Sequence, residues 1–143
     1  MKKAILMCTC SFSCPSMKEI NFTELTERIR LEIPHDYMLL HPRLCEENGE
    51  NLMADLLKED VVYVTVACKA EKQKKLLRDG FARANVKMEK SWKPVSLGLS
   101  NTEKAFNETK SAIEEISNGV ATITWEYPEK RYPGTQQSMP NCV

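Results

Sequence analysis

Two hydrophobic rhythms take turns along the chain: short unbroken apolar runs, and stripes at helical spacing. Lys3 to Met7 is a short apolar run, consistent with a buried strand. Asn21-Phe22-Thr23-Glu24 then opens a helix whose stripe is Phe22, Leu25, Ile29 and Ile33. Asn21 is placed to cap it, with Glu24 three residues on, and Pro34 stops it. Asp36 to His41 reads as a second strand. After Cys45 and a polar turn, a second helix runs through Glu59, with Leu52, Met53, Leu56 and Leu57 on its apolar face. Val61 to Ala67 is the clearest strand, β-branched and nearly unbroken. A basic helix follows from about Glu71 to Ala84, with Leu76, Leu77 and Phe81 facing in. Val86 to Lys90 predicts a fourth strand, ending at Ser91-Trp92. Ser100-Asn101-Thr102-Glu103 is a capping box for a last helix, with Ala105, Phe106, Ile113 and Ile116 inward and Asn118-Gly119 at its end.

Strand then helix, four times over, predicts a mainly parallel sheet with helices on both faces and right-handed crossovers. The expected fold class is a three-layer α/β domain, Rossmann-like or flavodoxin-like, with four or five strands. Residues 1–119 form this single cysteine-rich domain. In residues 120–143, Val120 to Trp125 reads as a fifth, edge strand, and the remainder as an extended tail with three of the seven prolines.

Composition narrows the function. A chain of 143 residues can bury one real core and is too short for two ordinary domains. Lysine plus arginine equals aspartate plus glutamate at 20 each, so there is no basic excess of the kind that phosphate binding brings, and nucleic acid is not expected as a partner. No apolar stretch approaches the length of a membrane span. Met1 to Met7 has the look of a signal peptide, but its apolar part is too short and cysteines and serines follow at once. A cytoplasmic protein is the expectation. None of the five glycines forms G-x-G-x-x-G or a Walker pattern, and no catalytic triad or paired-carboxylate site is visible, so nucleotide binding is not expected.

The cysteines remain. Six of them without an export signal point away from structural disulfides and toward metal or redox chemistry, with small buried hydrophobes as the plain alternative. Cys8, Cys10 and Cys14 follow the first predicted strand, Cys45 follows the second, and Cys68 ends the third. All lie on strand-to-helix loops, along the carboxyl edge where open α/β sheets bind ligands. Neighbouring helix N-termini favour thiolates there. Four thiolates suit either tetrahedral zinc or an iron–sulfur cluster, and spacing does not choose between them. C-x-C-x-x-x-C with two distant single cysteines is a poor zinc ribbon and a poor bacterial ferredoxin, but fits a cluster held by loops of a preformed domain. A dithiol redox site lacks its C-x-x-C. His41 is a candidate ligand or proton carrier near Cys45, against a ring packed at a strand end; His35 reads as a turn residue and Cys142 as a dangling thiol. Lys69, Lys72, Lys74, Lys75 and Arg78 read as a solvated helix face, against the steering of an acidic partner or screening of an anionic cluster. Met7, Met38 and Met53 read as core filler, and Trp92 as a core aromatic or a cover over a cluster.

Three stretches carry a family resemblance: Met7-Cys8-Thr9-Cys10, Val66-Ala67-Cys68-Lys69, and the run from Ala84 to Ala105, "ANVKMEKSWKPVSLGLSNTEKA". They resemble the N-terminal iron–sulfur domain of heterodisulfide reductase A, and Cys45 with Asn48-Gly49-Glu50 resembles that family's second cysteine box. Together they span roughly Lys2 to Glu115. The delta subunit of viologen-reducing hydrogenase is similar at a greater distance. The resemblance implies an electron-transfer protein of a cytoplasmic, anaerobic redox complex. It implies an iron–sulfur cluster, [4Fe-4S] ahead of the [2Fe-2S] of that hydrogenase protein, and a flavin- or iron–sulfur-containing partner. The implied ligands are Cys8, Cys10 or Cys14, Cys45 and Cys68. The chain departs from the family in two places: Cys14 is an additional thiol after the first box, and Lys90 stands where the family often has cysteine. The alternatives are a thiol-based redox or sulfur-transfer protein, and a non-redox scaffold with a lost or zinc-filled site.

Overall fold

The computed structural model describes residues 2–117. The predicted helix stop at Asn118-Gly119, the strand at Val120 to Trp125, the tail and Cys142 lie outside the described residues. The elements run β1 (Lys2–Cys8), α1 (Phe22–Glu32), β2 (Tyr37–His41), α2 (Glu47–Leu56), β3 (Val61–Ala67), α3 (Ala70–Arg83), α4 (Met88–Ser91), β4 (Trp92–Ser96) and α5 (Thr102–Ser117). The four strands form one sheet in the order β2-β1-β3-β4, and every pairing is parallel.

Burial explains the order. All seven residues of β3 are buried, as are Ala4 to Met7 of β1, so these two strands take the centre of the sheet. Their side chains alternate between two cores. On one face Ile5, Met7, Val62, Val64 and Val66 meet Leu25 and Ile29 of α1 and Ala105, Phe106 and Ile113 of α5. On the other, Ala4, Leu6 and Tyr63 meet Met53 of α2, Leu77 and Phe81 of α3, and Trp92. Each fully buried large aliphatic or aromatic side chain contributes about 1.5–3 kcal/mol. The three-layer α/β fold expected from the strand-helix repeat is the fold observed. Among the described residues no helix is long and apolar enough to cross a membrane.

The fourth strand differs from expectation. Val86 to Lys90 is not a strand: α3 ends before Asn85, which is left-handed (φ 61°), and Met88–Ser91 makes one helical turn. The strand is Trp92–Ser96, with Trp92 opposite Tyr63 and Ser96 opposite Ala67. Pro94 disguises it, since proline is tolerated in a strand mainly at a sheet edge, where its missing N–H can face away from the ladder. The second helix also stops early, at Leu56 rather than Glu59. The Tyr63 hydroxyl accepts from the Lys58 N–H (2.7 Å) and donates to the Leu56 carbonyl (3.4 Å), satisfying groups that further helix would have used.

The first helix is capped as expected, Asn21 Oδ1 accepting from the Glu24 N–H at 3.0 Å. The last is capped one residue later than the capping box implies. Asn101 Oδ1 accepts from the Lys104 N–H at 2.8 Å, while the buried Ser100 hydroxyl has no hydrogen-bond partner among the described residues. Two substitutions separate these roles. Asn101→Ala should cost about 1 kcal/mol in urea unfolding. Ser100→Ala should be neutral or stabilising, because it removes a buried hydroxyl that bonds to none of the described residues.

Candidate metal centre

The strand order has a switch point between β1 and β3: the chain leaves β1 toward β2, then returns across it to β3. Cys8 is the last residue of β1, and Cys68 directly follows β3. The two thiols therefore flank the switch point at the carboxyl edge. Cys45 lies on the loop between β2 and α2 at the same edge.

The loop after β1 is held by an uncommon backbone. Cys10, Ser11 and Phe12 are all left-handed, with φ of 51°, 56° and 60°. Non-glycine residues rarely adopt that region singly, let alone in succession. The turn is fixed from inside by Phe12 N–H to Thr9 O (2.8 Å) and Ser13 N–H to Cys10 O (3.1 Å). It is fixed from the β2 loop by Ser11 N–H to Pro42 O (3.0 Å). As a result Cys10 and Cys14 are buried beside Met17, in the core under α1 and α5. Against the expectation that pointed away from structural disulfides, Cys10 is disulfide-bonded, while Cys14 is a free thiol. The Cys14 sulfur stands 3.1 Å from the Ser16 hydroxyl.

The loop after β2 is shaped by Gly49. A Cβ there would stand 2.3 Å from the Leu44 carbonyl oxygen, so only glycine lets the Leu44 backbone rest on α2. The Leu44 N–H and the Cys10 N–H both act on the Cys8 sulfur. His41 accepts the Arg43 N–H on Nδ1 at 2.9 Å, and burial pushes its pKa down. Its Nδ1 lone pair is thus spent within its own turn, in keeping with a ring packed at a strand end.

The electrostatics join three loops. Burial raises the Cys8 thiol pKa, opposed by the Leu44 and Cys10 amides and by Arg43, while Cys14 adds to the rise. Cys45 is pushed up to about 12 by burial first, then by Cys8 and Glu46. Cys68 is pushed up to about 12 by burial, then by Cys8 and Cys45, with Lys72 pulling the other way. Cys45 therefore senses Cys8, and Cys68 senses both, although the three come from separate segments of the chain. Among the described residues, no three His, Cys, Asp or Glu side chains close around one ion-sized point. In kind, the donors are soft, desolvated thiols flanked by amide N–H groups and two cations, Arg43 and Lys72, a set suited to thiolate-bound metal. They are ill suited to nucleophilic catalysis, which needs a lowered thiol pKa.

Other expectations resolve by position. Trp92 is not a cover over the thiols: it starts β4, is buried against Tyr63 and Phe81, and donates to the Thr65 hydroxyl at 2.7 Å. Lys90 is exposed and precedes β4, at the amino edge, so a cysteine there would stand at the opposite end of β4 from the thiols. Of the basic face, Lys72 does act on Cys68. Three contributors carry no motif that marks them in the sequence: Arg43, the amide of Leu44, and Gln73, a buried side chain that donates to the Cys68 carbonyl at 2.6 Å. Gln73 has one visible signal, because it shares helical spacing with Leu77, Gly80 and Phe81. Comparison with protein-family models and with curated proteins finds no match to this chain.

In metal-free, reduced protein, Cys45 and Cys68 should remain protonated at neutral pH. Thiolate absorbance near 240 nm should accordingly show these two groups silent up to about pH 10. Raised thiol pKa values mean that the folded state holds protons the unfolded chain releases. Stability is then complete below about pH 8.5, the ordinary thiol value, and falls as pH rises toward 12. Gly49→Ala should displace the Leu44–Cys45 segment and cost about 1–3 kcal/mol in chemical unfolding.

Proposed function

We propose that this protein is an electron-transfer component that holds an iron–sulfur cluster at the carboxyl edge of its sheet. The observation that carries the proposal is that Cys8 acts on both Cys45 and Cys68, and Cys45 on Cys68, at the carboxyl edge of the sheet. Isolated buried thiols would be inert filler; thiols close enough for Cys8 to raise the pKa of Cys45 and Cys68 form a site that positive charge at its centre would relieve. Of the two candidates for the fourth ligand, Cys14 is a free thiol, whereas Cys10 is disulfide-bonded and would have to be reduced first. The resemblance to the heterodisulfide reductase A domain favours [4Fe-4S] over [2Fe-2S], and a flavin- or iron–sulfur-containing redox protein as partner.

When bound, such a cluster supplies one-electron chemistry. The chain's own contribution is to bury the ligands, aim the Leu44 and Cys10 N–H groups at the Cys8 sulfur, and set Arg43 and Lys72 against the accumulated negative charge. N–H donors, burial and nearby charge are the terms by which a protein sets a cluster's potential. A nucleophilic thiol enzyme is the weaker account, since burial drives Cys8, Cys45 and Cys68 away from thiolate.

Protein purified without oxygen should contain about four irons and four acid-labile sulfides per chain, with broad visible absorption bleached by dithionite. About two of each would select the smaller cluster. Zinc in place of iron, or no iron after anaerobic reconstitution, would contradict the electron-transfer function.

A further inference from the structure

We infer that Gln73 is the positioning residue for Cys68, acting through a buried hydrogen-bond chain that ends at Trp92; its role in metal binding, though not its existence, rests on the function proposed above. Gln73 lies on the first turn of α3 and is 1% exposed. Its side-chain nitrogen donates to two carbonyls, Cys68 at 2.6 Å and Val95 at 2.9 Å. Its side-chain oxygen accepts from the Thr65 hydroxyl, whose oxygen accepts the Trp92 indole N–H at 2.7 Å. Thr65 and Trp92 are as buried as Gln73.

The direction of every bond in this chain is forced. An indole only donates and a carbonyl only accepts. Thr65 must therefore pass its own hydrogen to Gln73, and the amide must turn both of its hydrogens to the carbonyls. No member is left unsatisfied, which is the condition under which a buried polar network rigidifies its surroundings.

Cys68 is the place that needs such support. The last sheet bond on this side is Leu97 N–H to Ala67 O, at 2.6 Å. Beyond it the chain leaves the ladder and turns into α3 within two residues. The Cys68 carbonyl would be orphaned in the core at that turn. Gln73 satisfies it and at the same time grips β4 through Val95, so the strand end bearing the thiol is held from inside the domain. Ser96 completes the hold, its hydroxyl accepting the Ala70 N–H at 3.0 Å in place of an N-cap side chain. The backbone that carries the Cys68 thiol, on which Cys8 and Cys45 act, is thereby held in place. Glutamate at position 73 would set a carboxylate against two carbonyls, and methionine would lose all three bonds.

The test uses the full chain, metal-free and reduced, treated with iodoacetamide at one fixed pH, with each cysteine's alkylation rate read by mass spectrometry. Gln73→Met and Thr65→Val should each speed alkylation of Cys68 on the order of tenfold, through local opening, and leave Cys14 unchanged. Thr65→Ser keeps the hydroxyl and should keep the slow rate. The Thr65 pair carries the test if Gln73→Met fails to fold. An unchanged Cys68 rate in either folded variant, or equal acceleration of Cys14 and Cys68, would overturn the assignment. Because this readout needs no metal, a chain that binds no iron would refute the proposed function and leave the role of Gln73 to be judged separately.

Discussion

Parallel pairing of β1 with β2 on one side and β3 on the other is the constraint on which the rest depends. Parallel strands start at one edge and end at the other, so each must be joined to the next by a crossover. Every strand-to-helix loop therefore emerges at the carboxyl edge. Once β1 and β3 lie side by side, Cys8 and Cys68 become neighbours although 60 positions separate them in the chain. The site is a consequence of topology before it is a matter of side chains, and the apolar burial of β1 and β3 is what fixes that topology.

At this edge two effects oppose each other. Burial disfavours thiolate at Cys8, Cys45 and Cys68, and neighbouring thiols disfavour it further: Cys14 at Cys8, Cys8 at Cys45, and both Cys8 and Cys45 at Cys68. The Leu44 and Cys10 amides, Arg43 and Lys72 act the other way and do not win. The outcome is a neutral cluster of thiols in the free protein, with donors and cations already arranged for a more negative state. A site of this kind gains when positive charge enters it, which is the behaviour expected of ligands and not of a free nucleophile.

Much of this is legible in the sequence, for identifiable reasons. β3 is readable to the residue because seven consecutive buried positions leave little else for the segment to be. α1 is bracketed by Asn21 and Pro34, both of which act locally. β4 lies later than the sequence suggests because Pro94 reads as a breaker, and because Val86 and Met88 show strand-like spacing yet reach the core from a loop and a single helical turn. The gathering of cysteines follows from counting strands. Their surroundings do not, because the Leu44 backbone both acts on Cys8 and packs against Gly49, contacts that no local motif announces. Lys90 stands out against the family pattern, but its meaning depends on where β4 begins.

Everything proposed for the site requires that thiols from three separate loops meet at the β1–β3 switch point. Bridging metal-free, reduced protein with a short bifunctional thiol reagent such as dibromobimane, then mapping the linked peptides, tests this most directly. The expected links join Cys8 to Cys45 and Cys8 to Cys68. Links confined to the segment from Cys8 to Cys14, with Cys45 and Cys68 modified singly, would contradict it.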